Sequence, residues 1–322
     1  MTMRQMWRAL AYCGAGVVLI GAIAAGGAGA DGNAPVAASS APPARTGVLF
    51  DDFQYRDTAA MIAHGWTLRA GTGWPGITGA AWRSENVTFE DDPERPGNRV
   101  LRMTSTTDGT HTTQTQICHQ RKYLEGTYAT RVRFNDEPAS GPDGDQIVET
   151  FYTISPLKAP MDPDYSEMDF EYLANGGWGG ASSLLDLTTW RTFSPAPNPQ
   201  HDNVSDRTLG SLKGWHTLVL QVAKGQVTYF VDGRAVAKHG GRYYPRSAMS
   251  INFNLWFIEG GLIRAGSERR YQEDVDWVFH AAGQALTPAE VEARVAALRQ
   301  ASVPFQDTVP AWSPPLPCPC DL

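Results

Sequence analysis

Glu167, Asp169 and Glu171 alternate with Met168, Phe170 and Tyr172 in the run 166–173 (SEMDFEYL). In a β-strand this period of two puts the three carboxylates on one face and the three large apolar side chains on the other. Like charges lined along one strand face repel each other, so stability alone does not account for them. Three chemistries fit the spacing. One carboxylic acid could protonate a glycosidic oxygen while another attacks the anomeric carbon; the cluster could hold a calcium ion; or the face could be a solvated strand.

A strand that presents such a face needs neighbours, and the surrounding text supplies them. Residues 126–136 (GTYATRVRFND) place Tyr128, Val132 and Phe134 on one face and Arg131 and Arg133 on the other. Residues 215–236 read as three strands joined at Lys224-Gly225 and Asp232-Gly233, both hairpin signals. Residues 249–257 (MSINFNLWF) and 274–280 (DVDWVFH) add two more. No helical periodicity of useful length interrupts residues 48–280. Many short strands over this span predict an all-β fold, a single β-sandwich or jelly roll. Beyond it, Thr287-Pro288-Ala289-Glu290 opens a helix as a capping box with proline at the first helical position. Val291, Val295 and Leu298 share one face of that helix, which can pack on the sandwich as a C-terminal clasp. Residues 304–322 are proline-rich and read as an extended tail.

The N-terminus opens with Arg4 and Arg8, an apolar Ala/Gly-rich run and Ala28-Gly29-Ala30, so residues 1–30 read as a secretory signal peptide. Residues 31–45 are a flexible Ala/Pro/Ser lead-in, 46–282 the jelly-roll domain, and 283–322 the helix and tail. A secreted protein with no membrane contact after cleavage follows, and a monomer is expected. The 322-residue chain carries 27 Lys and Arg against 34 Asp and Glu; loss of Arg4 and Arg8 takes the net charge from −7 to −9. An acidic chain without a basic tract argues against nucleic acid as a partner and suits neutral polymers better. Cleavage leaves Cys118, Cys318 and Cys320. Export permits Cys118 to pair with either tail cysteine, with a strained Cys318–Cys320 bridge or free thiols as the alternatives.

The motifs together resemble glycoside hydrolase family 16, the β-jelly-roll endo-glucanases and transglycosylases. Residues 167–173 (EMDFEYL) resemble its E-[ILM]-D-[IF]-E-F-L signature, and residues 126–134 its G-x-Y-x-x-R-[VI]-[KR] strand. Residues 147–152 (IVETFY) stand where its members place the preceding strand. Trp215-His216-Thr217, 229–233 (YFVDG), Asn254-Leu255-Trp256 and Val275-Asp276-Trp277 match further blocks in order. The resemblance implies a concanavalin A-like jelly roll, with Glu167 as nucleophile, Asp169 as the assisting residue and Glu171 as general acid/base. Glu167 and Glu171 have Cα atoms roughly 13 Å apart, whereas a retaining pair works with carboxyls about 5–5.5 Å apart, so the two side chains must lean together. Asp169 can hydrogen-bond one of them, and its charge favours keeping a neighbouring glutamic acid protonated. The chain departs from the pattern at Ala174-Asn175 and in the glycine-rich loop 175–180 (NGGWGG).

The implied partner is a polysaccharide. Trp256 matches the family's cleft tryptophan, Trp190 shares parity with Asp186 and Thr188 on the next strand, and Trp178, Trp74 and Trp82 lie in glycine-flanked contexts. Some family members hold calcium on the convex side, where Asp276 is the candidate ligand; it reads equally as a structural hydrogen-bonding residue, and no cofactor is expected. The activity implied is that of a retaining endo-β-glycoside hydrolase on a β-glucan-type polymer. The alternatives are a transglycosylase using the same acids and a non-catalytic carbohydrate-binding jelly roll, which would have little reason to keep all three carboxylates.

Overall fold

The computed structural model describes residues 45–317 and Cys320, apart from Pro93 and Ala196. The signal peptide, nearly all of the lead-in and Cys318 lie outside the described residues. Two antiparallel layers form a sandwich. One layer, the cleft sheet, runs Trp66–Leu68, Thr112–His119, Ser250–Phe257, Ile147–Ile154, Glu167–Leu173, Leu184–Ser194, Gln200–Leu209. The outer layer runs Val87–Asp91, Arg99–Thr107, Arg269–Ala282, Gly126–Phe134, Gly214–Ala223, Gln226–Val231, Arg234–Gly240. Thr106 and Thr107 pair with Thr113 and Thr112, so the sheets are continuous at that hairpin. This is the expected all-β jelly roll.

Alternation explains the layers. Met168, Phe170 and Tyr172 point inward to meet Phe151, Phe253 and Tyr229 in the core between the sheets. Lys224 and Asp232 take positive φ ahead of Gly225 and Gly233, as tight two-residue hairpins demand. Periodicity did not announce the α-helix Thr58–Ala63, only six residues long and capped by the Asp57 carboxylate.

The C-terminal segment clasps the outer layer. Pro288–Gln300 is a helix with the expected Thr287/Glu290 capping box. Its Val291 and Val295 are buried against Phe50, Val219, Trp277 and Phe279, with Leu298 partly buried beside them; each full burial is worth about 1.5–3 kcal/mol. Phe305–Asp307 then adds a strand beside Gly47–Asp51. Of the two tail cysteines, Cys320 bridges Cys118.

Asp276 accepts hydrogen bonds from Asn98 and from the guanidinium groups of Arg95, Arg131 and Arg299. Donors surround this carboxylate, and such surroundings do not fit a calcium ion. Among the described residues no group of three or more His, Cys, Asp or Glu is arranged to hold a metal. Between the layers lie two further carboxyls. Glu149 accepts from the Asn135 backbone amide, while neither Glu273 oxygen has a well-formed hydrogen bond. Burial, followed for Glu149 by the Glu273 charge, pushes both well above the ordinary carboxylate range.

Candidate active site

The Glu167–Leu173 strand sits between Ile147–Ile154 and Leu184–Ser194, and the pairing register fixes what surrounds each acid. Glu167 lies between Ile154 and Trp190, Asp169 between Tyr152 and Thr188, and Glu171 between Thr150 and Asp186. All three acids line the floor of a cleft of about 740 Å³. Glu167 and Glu171 are half-buried and Asp169 is buried. The structure therefore brings the three predicted acids together on one face.

Their environments differ in ways that matter for proton chemistry. Burial raises Glu167 to about 7, against a 2.5 Å hydrogen bond donated to its Oε2 by the Tyr165 hydroxyl, which favours the ionised form. Glu171 is raised further, to about 8, by burial and then by the charges of Glu167 and Asp186. Asp186 is itself gripped by Arg207 through two hydrogen bonds of 2.6 and 2.8 Å. Asp169 is pushed well above the usual range by burial and then by Glu167 and Glu171, with the Trp190 indole N–H pulling the other way. The negative neighbours that raise Glu171 are thus Glu167 and Asp186. Asp169 lies between the two glutamates, and its buried Oδ1 has no hydrogen-bond partner.

Beside the acids runs a hydrogen-bonded row. Arg69 donates to Gln116, Gln116 and Asn254 donate to the Tyr152 hydroxyl, and Thr150 donates to Asn254. These groups, with Tyr165, Asp186 and Arg207, are the site residues that sequence reasoning missed. Tyr165 had a visible signal, since it precedes Glu167 by two and shares its parity.

The aromatic candidates separate. Trp190 lines the cleft opposite Glu167, and Trp256 lines it beyond Glu171, 5.9 Å from the Trp178 ring. Trp178 is 45 % exposed at φ +45°, on the loop the motif comparison left unexplained. That loop is glycine-rich because it is pressed down: a Cβ at Gly177 would stand 2.5 Å from Ile258 and 2.8 Å from Leu173. Trp74 also reaches the cleft. Trp82 does not; it is buried beneath the Arg69 guanidinium with its indole N–H on the Gly73 carbonyl.

No protein-family profile and no curated protein sequence matches the chain. Solved structures do. A Bacillus licheniformis β-glucanase superposes with a TM-score of 0.52 at 16 % identity, over 73 % of this chain and 97 % of its own. A glycoside hydrolase family 16 endo-glucanase from Bacteroides ovatus gives 0.54 at 16 %, over 71 % and 98 %. A laminarinase from Flavobacterium sp. UMI-01 gives 0.52 at 17 %, over 72 % and 98 %. The chain has the family 16 fold. At these identities the likeness establishes the fold and leaves the chemistry to the site.

Proposed function

We propose that the protein is a secreted, retaining endo-acting β-glycoside hydrolase on a neutral β-glucan-type polysaccharide. The observation that carries this reading is the pair Glu167 and Glu171, on one strand face at the cleft floor, in environments that separate their proton affinities. Near neutral pH the lower of the two is ionised and the higher is protonated, which is the division of labour double displacement needs.

In the first step the Glu171 carboxylic acid gives its proton to the glycosidic oxygen while the Glu167 carboxylate bonds to the anomeric carbon, and the carbon–oxygen bond to the leaving sugar breaks. In the second, the Glu171 carboxylate takes a proton from water, the water oxygen bonds to the anomeric carbon, and Glu167 departs. Asp169, uncharged between them, is positioned to donate a hydrogen bond to a neighbouring carboxylate. Trp190, Trp178 and Trp256 offer faces for sugar rings.

A neutral polymer is favoured by the charges present. The lining carries Glu167, Asp169, Glu171, Asp186 and Glu259, and among the described lining residues there is no lysine or arginine. The lining therefore offers an anionic glycan no lysine or arginine to neutralise it. Incubation with mixed-linkage glucan, laminarin and carrageenan, with product size and anomeric configuration followed by NMR, tests the reading. Shortened chains from a neutral glucan that first appear as the β-anomer are expected. Initial α-products, or no turnover of any neutral glucan, would overturn it.

A further inference from the structure

Residues 73–78 begin on one rim of the cleft and place their largest side chain on the other. The near foot is firmly held. The Gly73 carbonyl accepts from the Trp82 indole, the Trp74 carbonyl from Arg69, and the Pro75 carbonyl from Gln114, while the Thr78 amide donates to Glu259. Gly76 lies so close to Gln114 that a Cβ there would stand 2.0 Å from its side-chain oxygen. Arg69 donates also to Gln116, so this foot rests on the Thr112–His119 strand.

The far foot is Phe193, whose ring is 5.9 Å from that of Trp74. Phe193 belongs to Leu184–Ser194, and three strands separate that strand from Thr112–His119: Ser250–Phe257, Ile147–Ile154 and Glu167–Leu173. Four inter-strand gaps amount to about 19 Å along the sheet. Phe193 stands just past Trp190, the cross-strand partner of Glu167, so Trp74 meets it across the Glu167 end of the cleft. Its indole is 62 % exposed, so the contact is a bridge in solvent, not part of a core. Phe193 also packs on Tyr165 and Trp190, the immediate neighbours of Glu167.

We infer that Trp74 is a specificity-determining residue: together with Phe193 it roofs the cleft beside Glu167, admitting an unsubstituted glycan backbone and excluding one that carries side-chain sugars. This rests on the cleft being a glycan site, as proposed above. A chain that runs through the cleft past its Glu167 end passes beneath the bridge. A bare backbone is thin and flat enough to do so between aromatic faces, whereas a branch sugar at that position would collide with an indole whose own loop is fixed at four points.

Binding separates this inference from the catalytic reading. In a Glu167→Gln background, which removes turnover, calorimetry would compare a mixed-linkage gluco-oligosaccharide with a xylose-substituted one of equal backbone length. The linear ligand should bind at least about tenfold more tightly, the scale of one steric misfit. Adding Trp74→Ala should bring the two within about threefold, chiefly by improving the branched ligand. Trp74→Phe, which keeps a shorter ring, should fall between. Equal affinities before the change, or an equal loss for both ligands after it, would mean that Trp74 is merely a stacking platform and would overturn the inference alone. Binding of neither ligand would overturn the glycan site and the inference together.

Discussion

Replacing Tyr165 with phenylalanine should move the acid limb of the pH–rate profile upward and leave the alkaline limb in place. Tyr165 is buried, its ring packs edge-on against Phe193, and its hydroxyl donates to Glu167. Phenylalanine keeps the ring and removes a hydrogen bond that is strongest with the ionised carboxylate, worth about 1.5–3 kcal/mol, or about one to two pKa units. The acid limb of kcat/KM reports the group that must be ionised, here Glu167, and losing a donor to that form raises its pKa. With values of about 7 and about 8, the fraction having Glu167 ionised and Glu171 protonated is about 60 % near pH 7.5 and about 9 % near pH 6. An acid limb one unit higher reduces these to about 22 % and about 1 %. The loss is therefore about threefold near pH 7.5 and about ninefold near pH 6. The assay is kcat/KM on a soluble β-glucan from pH 5 to 9, read as macroscopic values of the pair. A loss of the same size at every pH, or an unmoved acid limb, would refute the reasoning.

Asp186→Asn acts on the other limb. It removes a negative neighbour of Glu171 and leaves the Arg207 cation without its carboxylate partner, both of which lower the Glu171 pKa, so the alkaline limb should move down with the acid limb little changed; an upward move would contradict this. Glu273→Gln tests the buried carboxyls between the sheets. Their folded pKa values are raised, so stability in the parent falls as pH rises out of the ordinary carboxylate range; the amide should stabilise the protein near neutral pH by about 1–3 kcal/mol and flatten that fall. Melting temperatures across pH 5 to 8 measure it, and a destabilised variant with an unchanged slope would oppose it.

Much of the fold and the heart of the site could be read from local spacing. Alternation put Glu167, Asp169 and Glu171 on one face, parity placed Trp190 beside them, and the Thr287/Glu290 box marked the helix, because each depends on residues a few positions apart. What escaped depends on distant meetings. Cys118 and Cys320 are separated by 202 positions, and which tail cysteine arrives is decided by the path of the tail. Trp82 and Trp74 stand in similar glycine-flanked text, yet one is covered by Arg69 and the other arches over the cleft. The Asp186–Arg207 pair is formed across neighbouring strands, and no local pattern marked it. Burial, which pushes Asp169 above the ordinary carboxylate range, is likewise a property of the assembled sheet.

The central claim, that Glu167 is the nucleophile and Glu171 the acid/base of a double displacement, is tested most directly by azide rescue. With an activated aryl β-glycoside, Glu167→Ala opens the face opposite the leaving group, and azide entering there should yield the α-glycosyl azide. Glu171→Ala should still form the glycosyl-enzyme, which azide then attacks from the other side to yield the β-glycosyl azide with net retention. NMR of the two products decides between the roles. Exchanged anomers would reverse the assignment, and full activity of both variants without azide would contradict the catalytic account.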